Sequence, residues 1–355
     1  MGNTDLQIAK KRKKDEFYTS LEVIEEEMVY YREYFLGKII FLNCDDPDWS
    51  NFWQYFSLNF DFFGLKKLIS THYVYEPEDG PAYKLELEQQ NNSNEPKVIK
   101  TELKGNGDFR SDECIELLKE ADIIITNPPF SLWREYVAQL IEYEKKFIII
   151  GNTNAITYKE IFPYLKDNKM WIGRTNFNVG MYFYVPDDYE QYHKIENGRK
   201  MVRVSTSCWY TNLEHNKRNE QLVLTKFYEG NEDKYPYYDN YNAIEVGTYK
   251  DIPMDYDGVM GVPITFIDKY NPEQFEILGS DNYDGTPPTK KYGTKKRVED
   301  GVVKKSNTGT LGPTIRYDEF GKGTFFDVGY PVKSTYKRIF IRNKQPISKK
   351  EMLGY

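Results

Sequence analysis

Between Asp122 and Tyr143 the chain shows its clearest change of period. Ile123, Ile124 and Ile125 form a β-branched run, the pattern of a strand buried on both faces. Leu132, Trp133, Tyr136, Val137, Leu140 and Ile141 then recur at helical spacing. Asn127-Pro128-Pro129-Phe130 lies between the two patterns. The order is strand, rigid turn, helix. In an open α/β sheet the carboxyl end of such a strand is where ligands bind.

The same alternation of short apolar runs and helical stretches extends to about Tyr210. Thr19 with Glu22 forms a capping box, and a helix is predicted to about Phe35, ended by Gly37. Lys38 to Leu42 reads as a strand and Asn43-Cys44-Asp45-Asp46-Pro47 as a polar loop. Ser50 then caps a helix to Phe63, stopped by Gly64. Lys66 to His72 is a second strand. Residues 75–105 read as an insertion of two alternating strands around a polar connection. Gly107-Asp108-Phe109 precedes a helix over 111–119, and further strands are predicted at 146–151, 181–185 and 201–209. The expected fold class is α/β, a doubly wound, mostly parallel seven-stranded sheet. After Thr211 helical periodicity fades, and Gly, Pro, Tyr and Asp become frequent, as in short strands and turns. The expected domains are a basic flexible tail (1–14), an α/β domain (15–210, with the insertion 75–105) and a β-rich domain (211–355).

Composition narrows the chemistry. The 355 residues carry a net charge of −7, so any nucleic-acid contact must come from local basic patches. Two such patches exist, KKRKK at 10–14 and the block Lys290 to Lys305. In the second, seven basic residues (Lys290, Lys291, Lys295, Lys296, Arg297, Lys304, Lys305) face two acidic ones, and a mobile, phosphate-contacting loop is expected there. A solvated loop is the plain alternative. Tyr336 to Lys344 alternates basic with apolar residues, which would turn Lys337, Arg342 and Lys344 to one side. Three widely spaced cysteines and three histidines give neither a disulfide framework nor metal spacing, so no metal is expected. No apolar run approaches a membrane span and no signal peptide is evident, which suggests a cytoplasmic protein.

The turn itself suits one task. Two prolines fix the carbonyls of Asn127 and Pro128, the Asn127 side chain adds a third oxygen, and Phe130 supplies a flat face. Such a turn holds a planar exocyclic amine whose ring stacks on the aromatic. It also serves as a plain strand-to-helix connection with Asn as cap. The first loop lacks G-x-G-x-x-G, which disfavours NAD or ATP and suits a cationic cofactor without phosphate. Asp108 is placed to accept from a cofactor amine, or to serve as a helix-start carboxylate.

The strings KDEFYT, LNCDDPDWSNFWQYF, GDF and NPPF occur in this order, followed by KKFIIIGNTNAITYKEIFPYLK and GVPITFIDKYNPEQFEI. As a set they resemble the EcoRI-type DNA adenine-N6 methyltransferases from Lys14 to about Gly279. The resemblance implies a class I fold using S-adenosyl-L-methionine and a C-terminal target-recognition domain. It implies cofactor contacts for Phe17, Tyr18, Thr19, Asn43, Asp45, Asp46, Pro47, Asp108 and Phe109, and the catalytic motif for Asn127, Pro128, Pro129 and Phe130. No carboxylate ends the second strand, so the usual ribose partner is unassigned. The implied reaction methylates adenine N6 in duplex DNA, and the base must leave the stack to be reached. Phe177 is a candidate second stacking face, a core aromatic being the alternative. A monomer acting in restriction–modification or in phage or mobile-element protection is expected, beside an endonuclease sharing its site without a physical complex. RNA adenine, protein glutamine, cytosine N4, or an idle fold serving as a DNA-binding regulator are the other readings.

Overall fold

The computed structural model describes residues 18–75, 80–90, 96–187, 189–281, 288–293, 295–304, 311–317 and 323–354. The basic tail therefore lies outside the described residues. The chain divides into two compact units, Met1–Ala155 with Lys169–Asn216, and Ile156–Asn168 with Lys217–Tyr355. The expected single cut at 210 placed 156–168 in the first domain. That segment instead packs with the second unit, where Arg218 donates to Asn168 Oδ1 at 3.0 Å.

The first unit is built on eight strands: β2 (Ile39–Leu42), β3 (Lys67–His72), β4 (Tyr83–Glu88), β5 (Lys97–Glu102), β6 (Ile123–Thr126), β7 (Lys146–Asn152), β8 (Trp171–Ile172) and β12 (Ser207–Thr211). Their order is β5-β4-β3-β2-β6-β7-β12-β8. Only the centre, β3-β2-β6-β7, is parallel. The sheet is thus mixed and eight-stranded, where a mostly parallel seven-stranded one was expected. The insertion explains half of the difference. Its hairpin β4-β5 needs no crossover, so it adds antiparallel to the β3 edge.

The other half lies in the stretch 201–209. It breaks at Ser205-Thr206, so its two parts serve different sheets. Arg199–Val204 (β11) joins Tyr18–Thr19 (β1), Met181–Tyr184 (β9) and Lys194–Glu196 (β10) in a second, antiparallel sheet. Ser207–Thr211 returns antiparallel along β7.

Helices cover both faces of the parallel centre, which explains its continuous apolar run. Ile40, Leu42, Ile123, Ile125, Ile148 and Ile150 share one core with Ile24, Met28, Tyr31 and Phe35 and with Phe52 and Phe56 of α2 (Asn51–Leu58). The alternate residues Phe41, Ile124 and Ile149 are likewise fully buried. Burying each such side chain stabilises by roughly 1.5–3 kcal/mol. α1 (Leu21–Met28) is capped by Ser20, one residue after the expected Thr19, because Thr19 is taken into β1.

The second unit is β-rich. One sheet orders Ile244–Glu245, Met260–Pro263, Arg338–Asn343 and Phe275–Ser280. The other has five strands, including Lys296–Glu299 and Val302–Lys304. No helix among the described residues is long and apolar enough to cross a membrane.

Candidate active site

β2 lies between β3 and β6, so the chain leaves β2 to one side and returns on the other. The crevice of such a sheet opens at this switch point, beyond the strands' carboxyl ends. Two segments meet there: the loop 43–47 after β2, and the turn 127–130 after β6.

Asp45 joins them. Its Oδ2 accepts from Thr126 Oγ1 at 2.5 Å and from the Asn127 backbone N–H at 3.1 Å. Its Oδ1 accepts from Ser50 Oγ at 2.7 Å. Pro128 and Pro129 have no N–H, so the Asn127 N–H is the last backbone donor before Phe130. The carboxyl is buried, which pushes its pKa up to about 6 against the pull of its three donors. Ser50 also caps α2, its Oγ accepting from Phe52 N at 3.0 Å. From β3, Ser70 Oγ donates to the Asp45 carbonyl and Thr71 Oγ1 to the Asn43 carbonyl. The loop is therefore rigid without any glycine pair.

Beside it, Asp46 Oδ2 lies 2.6 Å from His72 Nδ1, and His72 stacks on Tyr83 with ring centroids 4.7 Å apart. Tyr83 donates to Asp48 Oδ2 at 2.5 Å. Asp46, Asp48 and His72 bring one donor atom each within 4.8 Å, but their donors are already engaged with one another or with Tyr83. The role of His72 and Tyr83 was invisible in the sequence, because strand pairing with the insertion brings them together.

Gly107 has φ +81°, and a Cβ there would stand 2.6 Å from the His72 carbonyl oxygen. This close approach seats Asp108 and Phe109 against the end of β3. The Asp108 carboxylate is gripped by Arg110, whose Nε reaches Oδ1 at 2.8 Å and NH2 reaches Oδ2 at 2.7 Å. Those bonds hold its pKa below the usual carboxylate range. Phe109 is buried edge-on against Tyr136, 5.0 Å between centroids.

The remaining expected residues divide. Phe130 is half-buried and packs against the core cluster, and Pro128 is buried. Thr19 is buried in β1, and Asn51 Nδ2 ties its carbonyl to α2 at 2.6 Å. Phe17 lies outside the described residues. Phe177 is only 9% exposed, between Asn176 (φ 64°) and Asn178 (φ 60°), so its ring belongs to the interior. That loop is held by Glu27, which the sequence did not single out. Glu27 is fully buried and accepts from Tyr31 OH, from the Arg174 and Thr175 N–H groups and from Thr175 Oγ1.

In the second unit the later part of the basic block, Lys296–Glu299 and Val302–Lys304, forms a hairpin, where a mobile loop was expected. Its turn is Asp300 (φ 46°) and Gly301 (φ 79°), a D-G hairpin signal. Lys291, Lys296, Arg297 and Lys304 are exposed and Lys295 is half-buried. Lys290 pairs with Asp239 at 3.2 Å and Arg297 with Glu299 at 2.5 Å. Lys305 lies outside the described residues. In the central strand 338–343, Arg338 is buried against Glu245, while Lys337 donates to Thr157 Oγ1 at 3.0 Å and Lys344 to the Pro272 carbonyl at 2.9 Å.

Two buried groups fit a bound polar ligand. Thr19 Oγ1 is buried with no hydrogen-bond partner among the described residues, and the buried Asn43 side-chain amide has only the Tyr136 hydroxyl beside it. A buried polar group left unsatisfied is costly, by about 1–3 kcal/mol per group. Asn43 belongs to the loop at the switch point, and Thr19 is tied by Asn51 to the start of the helix that follows that loop.

A family profile described as adenine-specific methyltransferase EcoRI matches residues 5–344. The type II methyltransferase M.EcoRI of Escherichia coli is 49% identical over 290 residues, covering 78% of this chain and 89% of that protein. The type II methyltransferases M.MgeORF184P of Mycoplasma genitalium and M.MpnI of Mycoplasma pneumoniae are 43% and 40% identical over 276 residues. These cover 76% of this chain and 84% and 83% of theirs. No solved structure matches the chain significantly.

Proposed function

The chain belongs to the EcoRI family of adenine-specific methyltransferases, and from that membership we propose that it methylates N6 of an adenine flipped out of duplex DNA, with S-adenosylmethionine as donor. The observation that supports this best is the Asn127–Phe130 turn, pinned by Asp45 at the switch point of the sheet.

The cofactor supplies a methyl group already activated on a sulfonium. Thr19, Asn43, Asp46, Pro47 and Phe109 are the residues proposed to hold it, with Tyr18 and Phe17 on the N-terminal side. The partnerless Thr19 hydroxyl and the buried, under-satisfied Asn43 amide fit that role. Asp108 faces the cofactor only with the acceptor capacity that Arg110 leaves it.

The exocyclic nitrogen of adenine is a poor nucleophile because its lone pair is delocalised into the ring. Asn127 Oδ1 and the Pro128 carbonyl each accept one of its hydrogens, which localises the lone pair on nitrogen, ready to form the N–C bond as the donor's C–S bond breaks. Phe130 stacks on the base. The chain's work is positioning and electrostatics, with no covalent nucleophile. The surplus proton passes to water.

The finer architecture proposed is a class I methyltransferase core with a C-terminal target-recognition domain. Lys290, Lys291, Lys295, Lys296, Arg297, Lys304 and Lys305 are proposed to contact DNA phosphates. The protein acts in this reading as a cytoplasmic monomer in restriction–modification. Nucleoside mass spectrometry tests it: purified protein with S-adenosylmethionine and a mixed-sequence plasmid should yield N6-methyladenine. Absence of any methylated base, with cofactor binding confirmed, would overturn it.

A further inference from the structure

We propose that Asp45 is the positioning residue of the methyl-transfer site, holding the Asn127 backbone in register with the cofactor loop without binding the cofactor itself. The proposal rests on the function proposed above. Its basis is where the bonds of Asp45 go. One oxygen takes the Asn127 N–H and the Thr126 hydroxyl, and the other takes Ser50. The residue is 8% exposed and both oxygens are engaged by protein donors. A ligand of the cofactor would need an oxygen turned to the crevice.

The geometry makes Asp45 a joint between four segments. β3 holds its carbonyl through Ser70, α2 its Oδ1 through Ser50, and the end of β6 its Oδ2. Thr126 Oγ1 also accepts the Cys44 N–H at 3.1 Å, so loop and turn are bonded in both directions. Past Asn127 two prolines leave no N–H by which the backbone is held. Without Asp45 the Asn127 N–H loses the acceptor that fixes it, directly before the residues proposed to grip the amine. A misplacement of about 1 Å costs on the order of 100-fold in rate.

The test compares Asp45→Ala, Asp45→Asn and the near-isosteric Thr126→Val in the full-length protein. The readouts are kcat at saturating substrates, the dissociation constant for S-adenosylmethionine by calorimetry, and 2-aminopurine fluorescence at the target position without cofactor. Asp45→Ala is expected to lower kcat about 100-fold, to change the cofactor constant less than about threefold, and to reduce capture of the flipped base. Asparagine keeps an acceptor for the Asn127 N–H, and the Ser50 hydroxyl can turn to accept from its amide. It should restore kcat at least about tenfold over alanine.

Three results would overturn the proposal: wild-type kcat in Asp45→Ala, a rise in the cofactor constant large enough to explain the whole loss, or an Asn variant no better than Ala. If Asp45→Ala does not fold, Thr126→Val decides, with about tenfold lower kcat at an unchanged cofactor constant expected and a wild-type kcat fatal. Failure of the wild type to form N6-methyladenine would instead sink the functional reading, so the two failures are separable.

Discussion

Gly151 on β7 leaves room for the ring of Trp133, which opens the helix Trp133–Glu142 three residues after Phe130. A Cβ at Gly151 would stand 2.5 Å from Cε2 and Cζ2 of that indole. The ring cannot slide away freely, because its Nε1 donates to the Ile150 carbonyl at 2.8 Å. Gly151→Ala should therefore destabilise the protein by about 1–3 kcal/mol, the usual effect of overpacking. It should also lower kcat, since the displaced helix carries Phe130 with it. Denaturant unfolding and steady-state rates check both, and unchanged values would show that the helix yields without strain.

Glu27 gathers four donors from two segments, Tyr31 and the 174–175 loop, in a site fully shielded from water. Burial raises its pKa although all four donors favour the ionised form. Glu27→Ala would strand the Arg174 and Thr175 N–H groups and the Tyr31 hydroxyl. A loss of about 3 kcal/mol or more is expected, because each stranded buried donor costs about 1–3 kcal/mol. Hydrogen exchange of the Arg174 and Thr175 amides should rise with it. Unchanged protection there would mean that the loop is held by its other contacts, such as Phe177 packing and the Arg174–Asn216 bond.

The parallel centre and the two switch-point segments were legible because their signals are local. Isoleucine runs mark strands buried on both faces, and Asn-Pro-Pro-Phe marks a rigid turn wherever it falls. What was missed is non-local. Nothing near His72 announces Tyr83 as its stacking partner, since β4 brings that ring in from the insertion. Nothing near Asp45 announces that it bonds Asn127, 82 positions away. The resemblance implies a cofactor contact for Asp45, and the bonds it makes within the protein run to Thr126, the Asn127 N–H and Ser50. The Asp300-Gly301 pair is itself a local hairpin signal, but it stands within a run of seven basic residues whose charge pattern reads equally as a solvated loop.

Asn127→Ala separates the chemistry from the anchor. The backbone N–H that Asp45 holds survives the substitution, so the turn should keep its place. Only the side-chain oxygen proposed to accept from the amine is removed. Turnover should fall by about 1000-fold, the upper end of what one preorganised group contributes, while DNA binding by gel shift stays within a few-fold. Retained activity would remove the side chain from the mechanism.

Neutralising Lys290, Lys291, Lys295, Lys296 and Arg297 tests the basic block, of which Lys296 and Arg297 lie in the hairpin. Lys290 and Arg297 already pair with Asp239 and Glu299, so their charges are partly compensated within the protein. Lys291 and Lys296 are exposed and should dominate. Each DNA phosphate that the protein no longer neutralises reduces the slope of log K against log salt by about 0.9. A fall of about 2 is expected for the full set, most of it reproduced by the Lys291 and Lys296 changes alone. A slope that does not move would exclude these five residues from the DNA interface.

Asp45 also makes the protein's stability depend on pH. Its folded-state pKa is about 6, above its ordinary value of 3.8. A raised pKa means that the folded state takes up the proton more readily than the unfolded chain. The stabilisation from protonation is full below about pH 4 and is lost as pH rises through 6. At pH 8 the buried carboxylate is ionised and destabilises the fold, by an amount on the order of 3 kcal/mol. The charged neighbour Asp46 adds to this, and Cys44 and Tyr136 face the same carboxylate as groups whose own ionisation it opposes. Asp45→Asn removes the buried charge and keeps the shape. The variant should melt a few degrees higher than wild type at pH 8, with the difference shrinking toward pH 4, while its kcat is lower. Equal melting temperatures across that range would mean that the three hydrogen bonds to the carboxylate fully offset its burial.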